Sequence, residues 1–149
     1  IKKSNIDNRG LYANLDIKKG TRIIEYKGKI ITKKQVEENE KFDNDKAIYL
    51  FNINKRYDLD GDFKYNNARL INHSCDPNCE VTGTGLKIWV YAIRDIKRGE
   101  ELSYDYGFSF DRDFKNYPCK CKSKNCFGYI VKSESRWRIK KSKEYKSHK

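Results

Sequence analysis

The chain has 149 residues, and 33 lysines and arginines against 21 aspartates and glutamates give it a formal net charge of +12 at pH 7. This length predicts one domain, and an aromatic content of 13% excludes a disordered segment. Because the sequence has no long apolar run and no signal-peptide pattern, we expect an intracellular protein without a membrane span. The positive charge predicts an acidic partner: nucleic acid, a nucleoprotein or an anionic membrane face.

The N-terminal part of the chain predicts a strand, a turn and a second strand. Residues 11–13 and 21–26 are rich in β-branched and aromatic side chains, and a turn-like segment at 16–20 separates them. A similar strand and turn follow at 90–92 and 95–99. Two copies are too few for a solenoid or propeller, which needs about three stacked units. The repeat therefore favours a compact β domain in which two hairpins use the same turn chemistry.

The middle of the chain predicts short elements. Thr32 and Gln35 form a capping box ahead of a polar helix at 36–41. Strands are predicted at 48–53 and 56–59, a turn at 60–62, two helical turns at 65–71 and a buried strand at 86–93. The basic tail at 132–149 has little apolar periodicity, so we expect it to be mostly solvated and anchored by Trp137.

Three of the five cysteines, Cys119, Cys121 and Cys126, fall within eight residues. In a chain that is not secreted, such clustering favours a metal site over disulfides or free thiols, which remain the alternative. Tetrahedral zinc needs a fourth ligand, which must come from another segment. The available donors are Cys75, Cys79 and His73.

Two further stretches are either ordinary structure or parts of a site. Residues 72–79 crowd polar side chains, and asparagine and serine readily bond local backbone, so a well-bonded turn is the simple interpretation. Tyr104, Tyr106 and Phe108 alternate along the chain and would share one face of a strand. Core packing would explain them, but two buried phenols need hydrogen-bond partners, which favours a slot with a polar base.

Three motifs in a fixed order resemble the SET-domain protein lysine methyltransferases with a post-SET zinc module. They are RLINHSCDPNC at 69–79, GEELSYDY at 99–106 and the Cys-x-Cys-x4-Cys spacing at 119–126. Segments 9–13 and 24–28 resemble the family's cofactor loop and the strand after it. The resemblance implies a mostly β fold of small β-sheets around a C-terminal pseudoknot, with a SET domain at 1–113, a short zinc-binding post-SET segment at 114–131 and a basic tail at 132–149.

The resemblance also implies an activity and its residues. The activity is transfer of a methyl group from S-adenosylmethionine to the ε-amine of a protein lysine, beside one bound Zn²⁺. Tyr106 and Tyr104 are the implied catalytic residues. The implied cofactor-binding residues are Arg9, Gly10, Tyr49, Asn72, His73, Phe127 and Tyr129. The implied lysine channel is lined by Tyr26, Tyr104, Tyr106 and Phe108. The implied zinc ligands are Cys75, Cys119, Cys121 and Cys126, which leaves Cys79 as the odd cysteine.

A histone tail is the expected substrate and another lysine-containing protein the alternative. The basic surface would contact nucleosomal DNA, and we expect a monomeric protein of the nucleus or chromatin with no membrane contact. Tyr104 favours mono- or dimethylation, because its hydroxyl can hold a water where a further methyl would sit. The competing class is a catalytically silent SET-fold module that binds chromatin or nucleic acid, but retention of Tyr106, Asn72 and His73 argues against it.

Some positions depart from the family pattern without removing a group that the chemistry needs. Asn8 stands where the family usually has glycine, Leu70 where an aromatic is frequent and Lys29 where an acid is common. Asparagine tolerates a positive φ, so Asn8 is compatible with the same loop.

Overall fold

A computed structural model describes residues 1–43 and 49–141. Its ten strands are β1 (Lys2–Lys3), β2 (Arg9–Gly10), β3 (Arg22–Tyr26), β4 (Lys29–Thr32), β5 (Leu50–Asn52), β6 (Tyr57–Asp60), β7 (Asn72–His73), β8 (Cys79–Thr84), β9 (Lys87–Ala92) and β10 (Ser103–Tyr104). Two α-helices, α1 (Lys33–Glu37) and α2 (Arg136–Lys141), accompany them. Short 3-10 turns lie at Glu40–Phe42, Asn67–Leu70, Phe114–Asn116 and Ser133–Ser135. The expected class, mostly β with small sheets, is confirmed.

The strands form four small sheets. Two antiparallel three-stranded sheets have the orders β3-β9-β8 and β4-β6-β5, β1 pairs with β2, and β7 pairs in parallel with β10. The alternation in β9 buries Ile88, Val90 and Ala92, so that strand supplies one wall of the main core. Ile71 and Leu102, which immediately precede the parallel strands β7 and β10, are also fully buried there.

The two copies of the turn repeat bond to each other. The backbones of Ile17 and Ile96 exchange two hydrogen bonds of 2.8 Å. The carboxylate of Asp16 accepts from the backbone N–H of Arg98, and the carboxylate of Asp95 accepts from that of Lys19, both at 2.9 Å. Each copy therefore supplies the side chain that caps the other copy's turn, which explains why both need an aspartate at the same place.

Several predicted helices and strands are present, although their ends differ from the predicted ones. The capping box at Thr32 is present, although helix α1 begins at once after it and ends at Glu37. The strands predicted at 21–26, 56–59 and 86–93 are present as β3, β6 and β9, with ends that differ by at most one residue. Only part of the run at 48–53 is a strand, and its first residue lies outside the described residues.

Other predictions are wrong. Residues 11–13 hold only an isolated bridge between Tyr12 and Glu101, because the N-terminal loop bonds to one short stretch and not to a full strand. The two helical turns at 65–71 shorten to the 3-10 turn Asn67–Leu70. Trp137 does not anchor the tail, since it is 52% exposed.

The described part of the tail, up to residue 141, is anchored by other residues. Ile139 of α2 is fully buried in a second core with Phe114, Tyr129 and Val131. The sequence of α2 shows no apolar periodicity because, of its two apolar residues, Ile139 is buried and Trp137 is exposed. No described helix has the length and the apolar character needed to cross a membrane.

Candidate active site and metal centre

The parallel pairing of β7 with β10 joins two distant motifs. Ser103 lies opposite Asn72 and Tyr104 opposite His73. Two residues further on, the backbone N–H of Tyr106 donates to His73 Nδ1 at 3.2 Å. The Tyr106 hydroxyl donates to the carbonyl of Ile71 at 3.0 Å. Tyr106 is therefore held by hydrogen bonds at both its backbone and its side-chain hydroxyl.

A continuous series of aromatic rings surrounds Tyr106. From one ring to the next the centroid distances are 4.5, 6.1, 4.9, 5.7 and 5.0 Å. We call this series the aromatic row; in order it contains Tyr26, Phe51, Tyr104, Tyr106, Phe108 and Tyr117. The four expected channel residues all belong to it. The sequence did not indicate Phe51, since a run with two largely apolar faces does not reveal which face meets the site, or Tyr117, which stands among polar residues.

Three phenols of the aromatic row, Tyr26, Tyr104 and Tyr106, are neutral at physiological pH. Burial raises the pKa of Tyr26, of Tyr104 and of Tyr106 far above that of a free tyrosine, and neighbouring phenols add to the effect. A neutral phenol donates and accepts hydrogen bonds but does not remove a proton from an amine. These tyrosines are therefore suited to orienting a group and to excluding water.

A cavity of about 470 Å³ lies on one side of Tyr106. Its walls include Asn8, Arg9, Tyr49, Asn72, Tyr106 and Tyr117, so four of the expected cofactor-binding or catalytic residues meet there. We call it the first cavity. Its size is within the usual ~300–1,000 Å³ of small-molecule sites. His73 lies behind it and lines a small space of about 60 Å³ shared with Asn72 and Tyr106.

The N-terminal loop that borders this cavity is fastened to the parallel pair. The Asn72 side-chain amide donates to the carbonyls of Asp7 and Arg9, both at 3.1 Å, and to the Glu101 carboxylate at 3.1 Å. The same carboxylate accepts from the Tyr12 hydroxyl at 3.1 Å. Asn8 has a φ of 45°, which confirms that an asparagine takes the left-handed conformation there.

Gly10 does not line the cavity but lies against Glu101. A Cβ at this position would collide with the carboxylate, whose carbon would lie 2.9 Å away. Gly10→Ala is therefore expected to displace the loop and to weaken ligand binding in the first cavity by about tenfold or more. The measurement is calorimetric titration with S-adenosylhomocysteine.

Gly83→Ala is the matched control, because its Cβ would meet only a carbonyl at 3.8 Å. Equal affinity of Gly10→Ala and the unaltered chain would show that the contact between Gly10 and Glu101 does not shape the site.

The four expected zinc ligands form one cluster. The sulfur atoms of Cys75, Cys119, Cys121 and Cys126 all lie within 4.8 Å of one another. Cys75 Sγ and Cys119 Sγ are 3.8 Å apart, which is the edge expected of a tetrahedron with Zn–S bonds of about 2.3 Å. The donors therefore fit a structural zinc ion, which would be held by these four side chains.

The candidates left open for the fourth ligand separate clearly. Hydrogen bonds from Cys119 and from His73 lower the pKa of Cys75 to about 3, whereas sharing the same proton raises the pKa of Cys119. Burial raises the pKa of Cys79 to about 11, and Cys79 lies outside the cluster. His73 uses Nδ1 to accept from Tyr106, which makes it an orienting residue.

Residues 117–130, which we call the cysteine segment, also form one wall of the first cavity. Tyr117, Pro118, Lys120 and Ile130 line it. Lys120 Nζ is 3.0 Å from Asp7 Oδ1, so this wall contacts the N-terminal loop directly. An ion bound by the cysteines would thus fix one side of the cavity as well as join two distant segments.

Phe127 and Tyr129 are not brought to this cavity. Tyr129 packs against Phe114 in the second core, with ring centroids 5.0 Å apart. The Phe127 ring lies beside Arg136 and Lys140, at 5.6 and 5.1 Å from their charged groups. Tyr117 and Ile130 occupy the wall where these two residues were expected.

A second cavity, of about 510 Å³, shares Tyr106 with the first. Phe51 and Tyr104 of the aromatic row also line it, together with the acidic residues Glu80, Asp105 and Glu134. Tyr106 thus separates two spaces. One has walls from the N-terminal loop and the cysteine segment, and the other has three acidic residues and Lys132 in its lining.

Comparison with known proteins identifies the family. A family model described as SET domain matches residues 8–107. Histone-lysine N-methyltransferase trithorax of Drosophila virilis is 40% identical over 134 residues, covering 86% of this chain and 3% of that protein. Histone-lysine N-methyltransferase 2D of Homo sapiens is 39% identical, covering 85% and 2%. Histone-lysine N-methyltransferase set1 of Dictyostelium discoideum is 43% identical, covering 85% and 9%. The chain therefore spans less than a tenth of the length of these relatives.

Proposed function

The chain belongs to the SET domain family, and we propose that it is a protein-lysine methyltransferase that uses S-adenosylmethionine and acts on a histone tail. The observation that carries the proposal is the position of Tyr106, which the parallel pairing of β7 and β10 places between the two cavities. Relatives at about 40% identity are named as histone-lysine N-methyltransferases.

S-adenosylmethionine would supply a methyl group that its sulfonium charge makes electrophilic. The residues that would hold it are those that meet in the first cavity: the loop at Asn8 and Arg9, with Tyr49, Asn72 and Tyr117. Phe127 and Tyr129 do not line this cavity, so Tyr117 and Ile130 would cover the ligand. The post-SET boundaries at 113 and 131 stay a prediction.

The substrate lysine must reach Tyr106 without its ammonium proton. A free lysine has a pKa of about 10.4, so its amine is protonated at neutral pH and cannot attack. The aromatic row lowers that pKa by desolvation. Because Tyr26, Tyr104 and Tyr106 stay neutral, the proton leaves to solvent and not to one of these tyrosines. Tyr106 then aligns the amine, a contribution that can reach ~7–11 kcal/mol.

The second cavity suits a basic peptide. Glu80 and Glu134 place carboxylates in the lining that they share with Tyr104 and Tyr106, Asp105 adds a carboxylate paired with Arg136, and Lys132 is also present there, whereas the chain as a whole carries +12. A histone tail would thus meet a local acidic lining, and the basic remainder of the surface would contact nucleosomal DNA. A monomer located at chromatin and free of membranes is part of the same proposal, and a non-histone lysine protein is the alternative substrate.

Tyr104→Phe is expected to raise the number of methyl groups per lysine. Tyr104 is buried between Phe51 and Tyr106, and its hydroxyl can retain a water in the space that a further methyl would fill. We expect mainly mono- and dimethyl lysine from the unaltered chain and mainly trimethyl lysine from the variant. Mass spectrometry of a histone peptide during turnover measures the distribution.

The control is Tyr57→Phe, the same chemical change on β6 away from the aromatic row. An unchanged distribution in Tyr104→Phe would contradict the role given to the Tyr104 hydroxyl.

The test of the function itself uses the zinc-loaded chain, labelled S-adenosylmethionine and either free core histones or nucleosomes. Label on a histone lysine supports the proposal, and a higher yield on nucleosomes that falls steeply with salt supports the DNA contact. Cofactor binding without labelling of either would move the substrate to a non-histone protein. Absence of cofactor binding would favour the silent chromatin-binding module.

A further inference from the structure

Helix α2 carries a buried arginine that reaches the loop around Tyr106. The Arg136 side chain is 9% exposed, and its guanidinium donates in three directions. Nε donates to the carbonyl of Val131 at 2.9 Å, Nη1 to the carbonyl of Cys75 at 2.9 Å and Nη2 to Asp105 Oδ2 at 2.7 Å. Arginine is rarely buried unless it is paired, and its planar fork fixes the relative positions of its acceptors.

Asp105 transmits this constraint to its neighbours. Its carboxylate also accepts from the backbone N–H of Gly107 at 3.0 Å and from that of Ser133 at 3.1 Å. Oδ1 of Asp105 lies 3.7 Å from His73 Nδ1, the atom that accepts from the Tyr106 N–H. The residues on both sides of Tyr106, and its own backbone partner, are therefore arranged around the carboxylate that Arg136 holds.

The Cys75 carbonyl, another acceptor of Arg136, extends the same link to the four-cysteine cluster. Cys75 belongs to the four-cysteine cluster, and Arg136 binds its carbonyl. The Arg136 side chain thus connects helix α2 to the loop around Tyr106 and to the four-cysteine cluster. The family match ends at residue 107, so this connection comes from a part of the chain outside the matched region.

We propose that Arg136 is a positioning residue for Tyr106, and that helix α2 thereby completes the candidate active site. The effect on catalysis rests on the proposed function, whereas the effect on the loop does not. Arg136 touches neither cavity's reacting groups and acts through Asp105. A chain that ended after the cysteine segment would keep every residue of the aromatic row and lose this fastening.

The kinetic test compares Arg136→Met, Arg136→Lys and Ile139→Ala in the full zinc-loaded chain. We expect Arg136→Met to lower kcat about 10- to 100-fold, with the KM values for peptide and S-adenosylmethionine within about threefold of the unaltered chain. Arg136→Lys keeps the charge but not the fork, so it should recover part of the loss. Ile139→Ala removes buried packing from the same helix and should leave kcat nearly unchanged below its melting temperature.

An equal loss of kcat in Ile139→Ala and Arg136→Met would overturn the proposal, because general loosening of α2 would then explain both. Normal kcat in Arg136→Met would overturn it as well.

Hydrogen exchange separates this proposal from the proposed function. Without any substrate, Arg136→Met should speed exchange of the Tyr106 and Gly107 amides by about tenfold, the loss expected of one charge-assisted hydrogen bond. The amides of β9 serve as the internal reference. Unchanged exchange at 106 and 107 overturns the positioning role. Faster exchange in a chain that methylates nothing supports the positioning role and overturns the proposed function. If Arg136→Met does not fold, Asp105→Asn tests the same link from the other side.

Discussion

Replacing Tyr106 with phenylalanine is expected to lower kcat by about 100-fold or more while the chain stays folded. The variant keeps the ring that packs between Tyr104 and Phe108 but loses the hydroxyl bonded to the Ile71 carbonyl. Loss of one buried hydrogen bond costs about 1–3 kcal/mol of unfolding free energy. Misplacement of the reacting groups by about 1 Å is enough for a 100-fold loss of rate. Single-turnover methylation of a histone peptide and a thermal melt measure the two effects.

The matched control is Tyr57→Phe, which removes a phenol hydroxyl from β6 of the sheet β4-β6-β5, at a ring outside the aromatic row. Its kcat should equal that of the unaltered chain. If Tyr106→Phe retained more than about half of the activity, proximity and alignment by this hydroxyl would not explain turnover, and the assignment of Tyr106 would fail.

Removal of the metal is expected to abolish ligand binding in the first cavity as well as to destabilise the fold. The four sulfur atoms link the loop after β7 to the segment at 119–126, and the residues that flank this segment, Tyr117, Pro118 and Ile130, line the cavity wall. Structural zinc contributes on the order of 10 kcal/mol to the folding of small zinc modules. A strong chelator should therefore lower the melting temperature and eliminate binding of S-adenosylhomocysteine, and added Zn²⁺ should restore both.

The cysteine variants provide the controls for this prediction. Cys75→Ser and Cys126→Ser should lose the metal, whereas Cys79→Ala should retain one zinc per chain, because Cys79 lies outside the cluster. Zinc content by elemental mass spectrometry distinguishes them. Loss of zinc from Cys79→Ala, or full ligand affinity in the chelated chain, would contradict the assigned metal centre.

Much of the candidate site follows from local sequence. Spacing marked Cys119, Cys121 and Cys126 as metal ligands, since three thiols within eight residues reach one ion. Alternation put Tyr104, Tyr106 and Phe108 on one side of the chain, and their rings do follow one another. The capping box at Thr32 and the shared turn chemistry of the repeat also depend on neighbours in sequence, and both are present.

Other parts depend on segments that meet only in the folded chain. Sequence spacing left Cys75, Cys79 and His73 equal as fourth ligands, and the fold separates them by bringing Cys75 within 4.8 Å of the other three sulfur atoms. Phe51 joins the aromatic row, and Tyr117 replaces Phe127 and Tyr129 at the cavity, because sheet register and the fold of the cysteine segment decide which ring faces inward.

The C-terminal segment shows most clearly what the sequence indicates by itself and what only the folded chain decides. Its composition correctly indicated a basic, largely polar stretch, but composition carries no information about which polar side chain is buried. Arg136 is buried because Asp105 and two carbonyls from other segments together satisfy its donors. Sequence determined the chemistry available to this protein, and long-range hydrogen bonds and packing determined where each group is used, since a buried charge is stable only where the fold supplies its partners.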